Sequence, residues 1–158
     1  MKKILSMVVA MLLGATSLMA QAPEKGLSYA GEIGVGTELE LGGRAQYNFN
    51  QYFAVDVLSL KYAYDWRDMS ANNEITIQAG VRGFSPSFGP DLKAFAALDL
   101  GYGADFQDGY NVNCFALDFT MGLYVWKGMY VGYGFGGLFN NGHAPHDHVV
   151  RVGYNFTF

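Results

Sequence analysis

The sequence predicts an all-β fold, an eight-stranded antiparallel up-and-down transmembrane β-barrel, on three observations. The chain is 51% hydrophobic with 21 glycines, yet beyond its first 20 residues no segment approaches the roughly 18 consecutive apolar residues of a membrane helix. Apolar and polar residues instead alternate with a period of two, as in strands with one apolar face. The N-terminus indicates export. Since only helices and closed barrels satisfy their backbone in lipid, an exported apolar chain without such helices indicates a barrel.

The N-terminal residues 1–20 have the pattern of a secretory signal peptide. Two lysines precede the apolar residues 4–20, and small residues follow. We expect cleavage before Gln21. Cleavage before Pro23 is the alternative, since Ala20-Gln21-Ala22 fits the small-x-small rule.

The mature chain, residues 21–158, is long enough for one domain. The formal net charge of the whole chain is −4, and loss of the two leader lysines makes the mature chain more negative. This charge argues against a nucleic-acid partner. Cys114 is the only cysteine, so no intramolecular disulfide can form.

The first four predicted strands each carry alternate apolar residues that we expect to face outward. They cover residues 27–35, 41–49, 53–64 and 75–82. In the third strand the alternation changes phase between Val57 and Leu58, which predicts a β-bulge. The connections are predicted at residues 36–40, 50–51 and 65–73, where polar and turn-forming residues gather.

Four further strands complete the predicted barrel. They cover residues 92–102, 114–123, 131–136 and 150–158, with connections at residues 85–91, 105–111, 126–128 and 140–147. A transmembrane strand takes roughly 9–11 residues, so eight strands with their turns use the mature length. The even count places both chain ends on one side of the membrane.

Aromatic residues gather near the expected ends of the strands, which predicts girdles at the two membrane interfaces. One girdle is predicted from Tyr47, Phe49, Tyr52, Phe53, Tyr124, Trp126, Tyr130 and Phe158. The other is predicted from Tyr62, Tyr64, Tyr102, Phe135 and Phe139. The alternative is that a β-protein rich in tyrosine carries aromatics throughout, because they favour strands.

The last strand ends in a short motif. Arg151, Gly153, Phe156 and Phe158 stand at the spacing polar-x-Gly-x-x-aromatic-x-aromatic. Here the chain resembles the outer-membrane β-barrels of Gram-negative bacteria. It is similar in pattern to the OmpA transmembrane domain, OmpX and the compact barrels of Bacteroidetes. The resemblance implies that the barrel-assembly machinery reads this motif, and that the barrel has short periplasmic turns and outward-facing loops.

Eight charged residues occupy predicted inward positions, four acids and four bases. They are Glu32, Arg44, Asp56, Arg82, Lys93, Asp99, Asp118 and Arg151. The interior of an eight-stranded barrel is just wide enough for side chains, and buried charges must pair to offset desolvation. The glycines of strand seven leave room for Arg151 to reach Glu32. We therefore predict a packed polar core rather than an open pore; a charged selectivity lining is the alternative.

The segment before the last strand contains all three histidines of the chain, His143, His146 and His148, next to Asp147. Closely spaced imidazoles with a carboxylate can hold a transition metal. However, His146 and His148 share one strand face whereas His143 lies beyond a proline. We therefore expect a solvated loop and no metal or other cofactor.

A catalytic site has less support in the sequence. Eight-stranded barrels that modify lipids place a histidine with Ser or Asp at the outer rim, and His148 with Ser70 or Asp147 is similar to that arrangement. The spacing does not require such a site, and the G-x-S-x-G motif is absent. Cys114 is predicted inward as a small core residue. We expect a protein that is not an enzyme.

The sequence therefore favours an integral outer-membrane barrel with a structural or interaction role at the cell surface. Its expected partners are outer-membrane lipid, lipopolysaccharide and, during biogenesis, the barrel-assembly machinery, and we expect a monomer. The alternatives are a narrow channel or small-ligand-binding barrel, an outer-leaflet lipid-modifying enzyme and, outside membranes, a soluble ligand-binding β-barrel.

Overall fold

Eight β-strands follow one another along the chain, and each pairs antiparallel with the next. The computed structural model describes residues 25–64, 73–88, 92–107, 110–139 and 147–157. The strands are β1 (Gly26–Gly36), β2 (Leu39–Asn50), β3 (Phe53–Tyr64), β4 (Asn73–Phe84), β5 (Lys93–Gln107), β6 (Tyr110–Trp126), β7 (Met129–Phe139) and β8 (Asp147–Thr157). The described residues contain no helix that is long and apolar enough to cross a membrane.

The sheet closes on itself because β8 pairs with β1. The pairing runs from Ser28 opposite Thr157 to Gly36 opposite Val149. Every strand therefore has a hydrogen-bonded neighbour on both sides, and the sheet has no free edge. The predicted fold class, a closed eight-stranded antiparallel β-barrel, is confirmed.

Most inward residues of the strands are polar or small, and most outward residues are large and apolar. In β8, Val149, Arg151, Gly153 and Asn155 are buried, whereas Val150 and Val152 are exposed. The same alternation holds in the other strands, in the phase that the sequence predicted. The barrel is thus apolar on its outer surface, and its interior is mostly polar.

The predicted β-bulge in β3 is present. Val57 and Leu58 are both exposed, at 56% and 38%, so two consecutive side chains point outward. The pairing register shifts between Asp56 and Ser59 on the β4 side, and between Ala45 and Gln46 of β2 on the other. The extra residue restores the inward phase for Ser59 and the residues after it.

Two predicted loops are wrong in length. Only residues 37–38 connect β1 to β2, so most of the predicted loop 36–40 belongs to strands. The predicted loop 105–111 is mostly ladder, with Asp105 opposite Val112 and Gln107 opposite Tyr110. Both segments were predicted as loops because their residues are polar. Two strands can nevertheless continue their backbone hydrogen bonding beyond the region where the outer face of the sheet must be apolar.

The barrel has two distinct ends. We call the end with the tight turns 51–52 and 127–128 the turn end, and the end with the connections 37–38, 65–72, 108–109 and 140–146 the loop end. At the turn between β6 and β7, Lys127 and Gly128 have φ values of 34° and 89°. Positive φ at both central residues is the geometry of a type I′ hairpin turn, which matches the twist of the flanking strands.

Candidate functional site

The interior of the barrel holds all eight charged residues that the sequence placed there. Each is buried, and the most enclosed are Asp56, Arg82 and Arg151 at 0%, 1% and 2% exposure. Side chains so enclosed must find partners, because an unpaired buried charge is strongly destabilising. Six of the eight lie in two separate ion-pair clusters, one towards the loop end and one nearer the turn end.

The loop-end cluster consists of Glu40, Lys61, Asp118, Thr120 and Arg151. The Arg151 guanidinium donates to both Glu40 oxygens, from Nε at 2.6 Å and from Nη2 at 3.0 Å. It also donates to both Asp118 oxygens, at 2.8 Å and 2.5 Å, and to the Thr120 hydroxyl at 2.5 Å. Lys61 Nζ lies 2.9 Å from Asp118 Oδ2. Two cations and two carboxylates therefore balance within one network.

A glycine on the neighbouring strand β7 makes room for this guanidinium. A Cβ at Gly134 would lie 2.6 Å from Arg151 Cζ, closer than real Cβ contacts. The sequence predicted that the glycines of β7 would accommodate Arg151, but the predicted partner, Glu32, is wrong. Arg151 pairs with Glu40 and Asp118 instead, which lie nearer the loop end.

The central cluster consists of Glu32, Arg44, Asp56, Arg82 and Tyr130. Arg44 lies between the two carboxylates, with Nη1 3.4 Å from Glu32 and Nε 3.5 Å from Asp56. Arg82 donates to Asp56 Oδ2 at 3.1 Å and 3.3 Å. The Tyr130 hydroxyl donates to Glu32 at 2.5 Å and accepts from Arg44 at 3.3 Å. This cluster also contains two cations and two carboxylates.

An aromatic cluster fills the interior towards the turn end. Phe84, Phe95, Tyr124 and Tyr130 pack with ring centroids 5.4–6.0 Å apart, beside two alanines. The Arg82 guanidinium lies 4.7 Å from the Phe95 ring centre, so the aromatic and central clusters are in contact. Rings and ion pairs together occupy this half of the interior.

The prediction that Tyr124 and Tyr130 belong to an outer girdle is wrong. Those two are 3% and 0% exposed and lie inside the barrel. The alternation of inward and outward residues already indicates this inward position. Tyr124 lies in the same phase as the inward residue Thr120, and Tyr130 lies in the same phase as the inward residue Gly132. Tyr64 is half-buried, and Phe158 lies outside the described residues. The other predicted girdle residues, among them Tyr47, Trp126, Tyr102 and Phe139, are exposed.

Lys93 and Asp99 are the predicted interior charges outside the two clusters. Lys93 donates to the Gln51 carbonyl at the turn end and lies 5.0 Å from the Phe84 ring centre. Asp99, at 3% exposure, lies between the two clusters along β5, and its Oδ1 has no hydrogen-bond partner. With the residues that the structure describes, neither Lys93 nor Asp99 forms a salt bridge.

Glu40 and Lys61 are interior charges that the sequence prediction missed. Glu40 was assigned to a loop, although it shares its phase with inward Arg44. Lys61 shares its phase with inward Ser59 once the bulge is counted. The period-two pattern therefore contained the signal for both residues.

A cavity opens at the loop end above these ion pairs. Its volume is about 30 Å³, and it is lined by Glu40, Lys61, Asp118 and Arg151 of the loop-end cluster together with Glu38, Glu74, Gln78 and Asp147.

The histidine segment gives no converging site within the described residues. Consecutive positions in β8 put Asp147 and His148 on opposite faces. The Thr37 hydroxyl donates to Asp147 at 3.3 Å and Asp147 lines the loop-end cavity, whereas His148 hydrogen-bonds to the Tyr133 hydroxyl on the outer face. His143, His146 and Ser70 lie outside the described residues. Asp147 therefore does not join His148 as a metal ligand or catalytic partner.

Two other predicted residues have clear positions. Cys114 is buried and inward-facing at the loop-end half of β6. In the terminal motif, Arg151 and Gly153 face inward and Phe156 is half-buried on the outward face, while Phe158 lies outside the described residues.

The chain was compared with known proteins by sequence and by structure. No family model matches it, and no curated protein matches it. Among solved structures, the N-terminal β-barrel domain of Pseudomonas aeruginosa OprF is 16% identical with a TM-score of 0.55, over 84% of this chain and 98% of that one. Neisserial surface protein A (NspA) is 14% identical with a TM-score of 0.55, over 84% and 94%. These likenesses show a shared barrel fold.

Proposed function

We propose that this protein is an integral outer-membrane β-barrel with a closed interior, acting structurally or as an interaction surface on the cell. The observation that carries the proposal is the inverted burial of its side chains. Leu41, Val57 and Ile77 are exposed at 56%, 56% and 51%, whereas Arg82 and Arg151 are almost fully enclosed. Water favours the opposite distribution, and lipid favours this one.

The exposed apolar surface surrounds the barrel. All eight strands contribute, with examples in Tyr29, Leu60, Leu98, Phe115 and Val131. Soluble monomers rarely expose contiguous apolar patches beyond a few hundred Å². A soluble ligand-binding barrel would also have an apolar interior, whereas this one contains two ion-pair clusters. A membrane location therefore accounts for both faces of the sheet.

The shared fold supports the choice of membrane. The two matched structures are named as the barrel domain of OprF and as a surface protein of Neisseria. We extend an outer-membrane and cell-surface location to this chain on that basis. We also propose that the leader is cleaved on export and that the barrel-assembly machinery folds the barrel through the terminal motif. The protein is then a monomer in contact with outer-membrane lipid and lipopolysaccharide.

A closed interior favours the structural role over a channel. An ion that entered from the turn end would meet the aromatic cluster first and the central cluster next. It would then meet the Arg151 guanidinium, which lies between two carboxylates. Ions would have to displace paired charges at two levels. The proposal also assigns no catalysis to the barrel, since Asp147 and His148 face opposite sides of β8.

The test is outer-membrane fractionation of cells that express the full chain, followed by gel electrophoresis with and without heating. We expect the protein in the outer-membrane fraction, with a mobility that changes on boiling as the closed barrel unfolds. Recovery in the soluble fraction without detergent would contradict the proposal. Lipid mass analysis of a deletion strain would separately reveal any lipid-modifying activity.

A further inference from the structure

The outer surface of the barrel has a groove that crosses β6, β7 and β8. Its volume is about 340 Å³. The side chains that line it all face outward and are 39–52% exposed; they are Met121, Leu123, Val125, Val131, Tyr133 and Val150. The groove runs from Val125, near the turn end of β6, to Val150, in the loop-end half of β8. It therefore lies along the apolar outer surface and not in the barrel interior.

A polar pair lies at the loop-end limit of this groove. The Tyr133 hydroxyl is hydrogen-bonded to His148 Nδ1. His148 precedes Val150 by two residues on the same face of β8, so the two residues are about 7 Å apart. The His148 backbone is hydrogen-bonded at 2.9 Å and 3.1 Å to Thr37, which belongs to the connection 37–38 at the loop end. His148 therefore marks the point where the apolar surface ends, the level at which lipid headgroups begin.

The second ring nitrogen of His148 is available to a ligand. The exposed ring packs against Phe135 and Tyr133, with centroids 5.1 Å and 5.9 Å apart, and the hydrogen bond to Tyr133 fixes its orientation. Nε2 has no hydrogen-bond partner in the part of the chain that the structure describes. A protonated imidazole nitrogen donates to phosphate oxygens, and most strongly when the ring is charged.

We propose that the groove and His148 together bind one phosphorylated, acylated lipid of the outer leaflet, the lipid A anchor of lipopolysaccharide. One acyl chain lies in the groove, and a headgroup phosphate accepts a hydrogen bond from His148 Nε2. The inference rests on the proposed function, because it narrows the proposed lipid contact to one site and one lipid. The loop end faces outward in that proposal, so the phosphate at His148 belongs to the outer leaflet.

The chemistry of the groove favours an acyl chain over a segment of protein. A docked polypeptide needs partners for its backbone N–H and C=O groups. The backbone of the groove is already paired in the β6–β7 and β7–β8 ladders. Tyr133 has the one polar side-chain group among the described lining residues, and His148 occupies it. An acyl chain has no hydrogen-bonding groups, so the groove leaves none of its atoms unsatisfied.

The experiment is native mass spectrometry of the full-length expressed protein, extracted from outer membranes in mild detergent and then titrated with purified lipids. We expect one lipid A molecule to remain bound after extraction. Once this lipid is removed, added lipid A should bind again. Dephosphorylated lipid A should bind about tenfold more weakly, the effect of losing one hydrogen bond to a charged group.

Two variants test the two parts of the site. Val131→Trp fills the groove and should abolish retention of the lipid. Its matched control is Ile77→Trp, which adds the same ring on the outer face of β4, outside the groove. Heat-modifiable mobility verifies that each variant is folded.

His148→Ala removes the phosphate ligand. It should weaken lipid A binding about tenfold and leave binding of the dephosphorylated form unchanged, so that the two lipids bind alike. The matched control is Tyr62→Ala, which removes another exposed, hydrogen-bonded ring near the loop end, on β3. It should retain the preference for the phosphorylated lipid.

One bound lipid A that is lost in Val131→Trp, with a phosphate preference that is lost in His148→Ala, supports the proposal. Equal retention by Val131→Trp and Ile77→Trp overturns the groove as the site, and an unchanged phosphate preference in His148→Ala overturns the role of His148. A retained phospholipid in place of lipid A overturns the choice of lipid, and a pair of chains that Val131→Trp separates shows a contact between copies instead. Folded protein in the outer membrane that retains no lipid contradicts this inference alone, whereas soluble protein contradicts the proposed function as well.

Discussion

Gly153 of β8 lies directly opposite Tyr130 of β7, and the Tyr130 ring occupies the space that a side chain at residue 153 would need. A Cβ at residue 153 would lie 2.7 Å from Tyr130 Cε1. The ring cannot easily move away, because its hydroxyl donates to Glu32 at 2.5 Å and the ring packs against Phe95 and Tyr124. The glycine of the terminal motif is thus also a packing requirement of the interior.

Gly153→Ala should therefore destabilise the barrel by about 1–3 kcal/mol, the usual effect of overpacking. The matched control is Gly83→Ala, where an added Cβ meets nothing within 4 Å. Both substitutions restrict the unfolded chain equally, so the difference between them reports the clash with Tyr130. Urea unfolding in detergent measures it. Equal stabilities for the two variants would show that the ring moves freely.

Arg151→Met should be among the most destabilising single substitutions in the chain. It leaves Glu40 without its cation and Asp118 with Lys61 alone, and losing one partner of a buried ion pair costs about 3–5 kcal/mol. Lys127→Met, which removes an exposed cation at the turn end, should change the unfolding free energy by no more than about 0.5 kcal/mol.

A rescue variant tests whether charge is the cause. Adding Glu40→Gln to Arg151→Met removes the carboxylate left alone and should recover part of the lost stability. If the double variant is less stable than Arg151→Met, the damage arises from lost packing and not from an unpaired charge.

The sequence predicted which face each residue occupies far better than which partner it finds. The period of two correctly placed the eight predicted charges inside, although Glu40 and Lys61 were missed, and the phase change at Val57 and Leu58 located the bulge. It did not predict that Arg151 would reach Glu40 and Asp118 rather than Glu32. The choice of partner depends on the stagger between strands, which sets how far along the barrel axis each side chain lies. The alternation of apolar and polar residues predicts only whether a side chain faces inward or outward.

The two tyrosines illustrate a different limit. The girdle prediction for Tyr124 and Tyr130 rested on their aromatic side chains and on their positions near strand ends. It disregarded the phase of the alternation, which places both residues on the inward face. Inside, their rings pack with Phe84 and Phe95 and their positions match narrow neighbours such as Gly153. Polar composition likewise shortened β5 and β6 in the prediction, since the ladder continues to Gln107 and Tyr110.

A charge on the outer face distinguishes lipid from water around the barrel. Leu100, 43% exposed near the middle of β5, contacts acyl chains in our account. Leu100→Arg should therefore destabilise the protein in bilayers by about 2–4 kcal/mol, whereas Val35→Arg near the end of β1 should cost about 0–1 kcal/mol. Equal and small effects at both positions, measured by urea unfolding in vesicles, would be the result for a soluble barrel.

The proposed closed interior predicts the electrical behaviour of the protein. Refolded into planar bilayers, it should show no stable single-channel conductance, because two ion-pair clusters and an aromatic cluster occupy the bore. A porin incorporated under the same conditions is the positive control. Regular, long-lived conductance steps would instead favour the channel alternative and would show that the clusters rearrange.

We propose that the exposed apolar residues of the strands contact lipid acyl chains. The most direct test of this claim places one tryptophan at Leu100→Trp, with Trp66 and Trp126 replaced by phenylalanine, and folds the protein into vesicles of lipids brominated along their chains. Our account predicts blue-shifted emission that the brominated lipids strongly quench relative to ordinary lipids. Emission that is unquenched and typical of water, from protein that stays dissolved without vesicles, would contradict it.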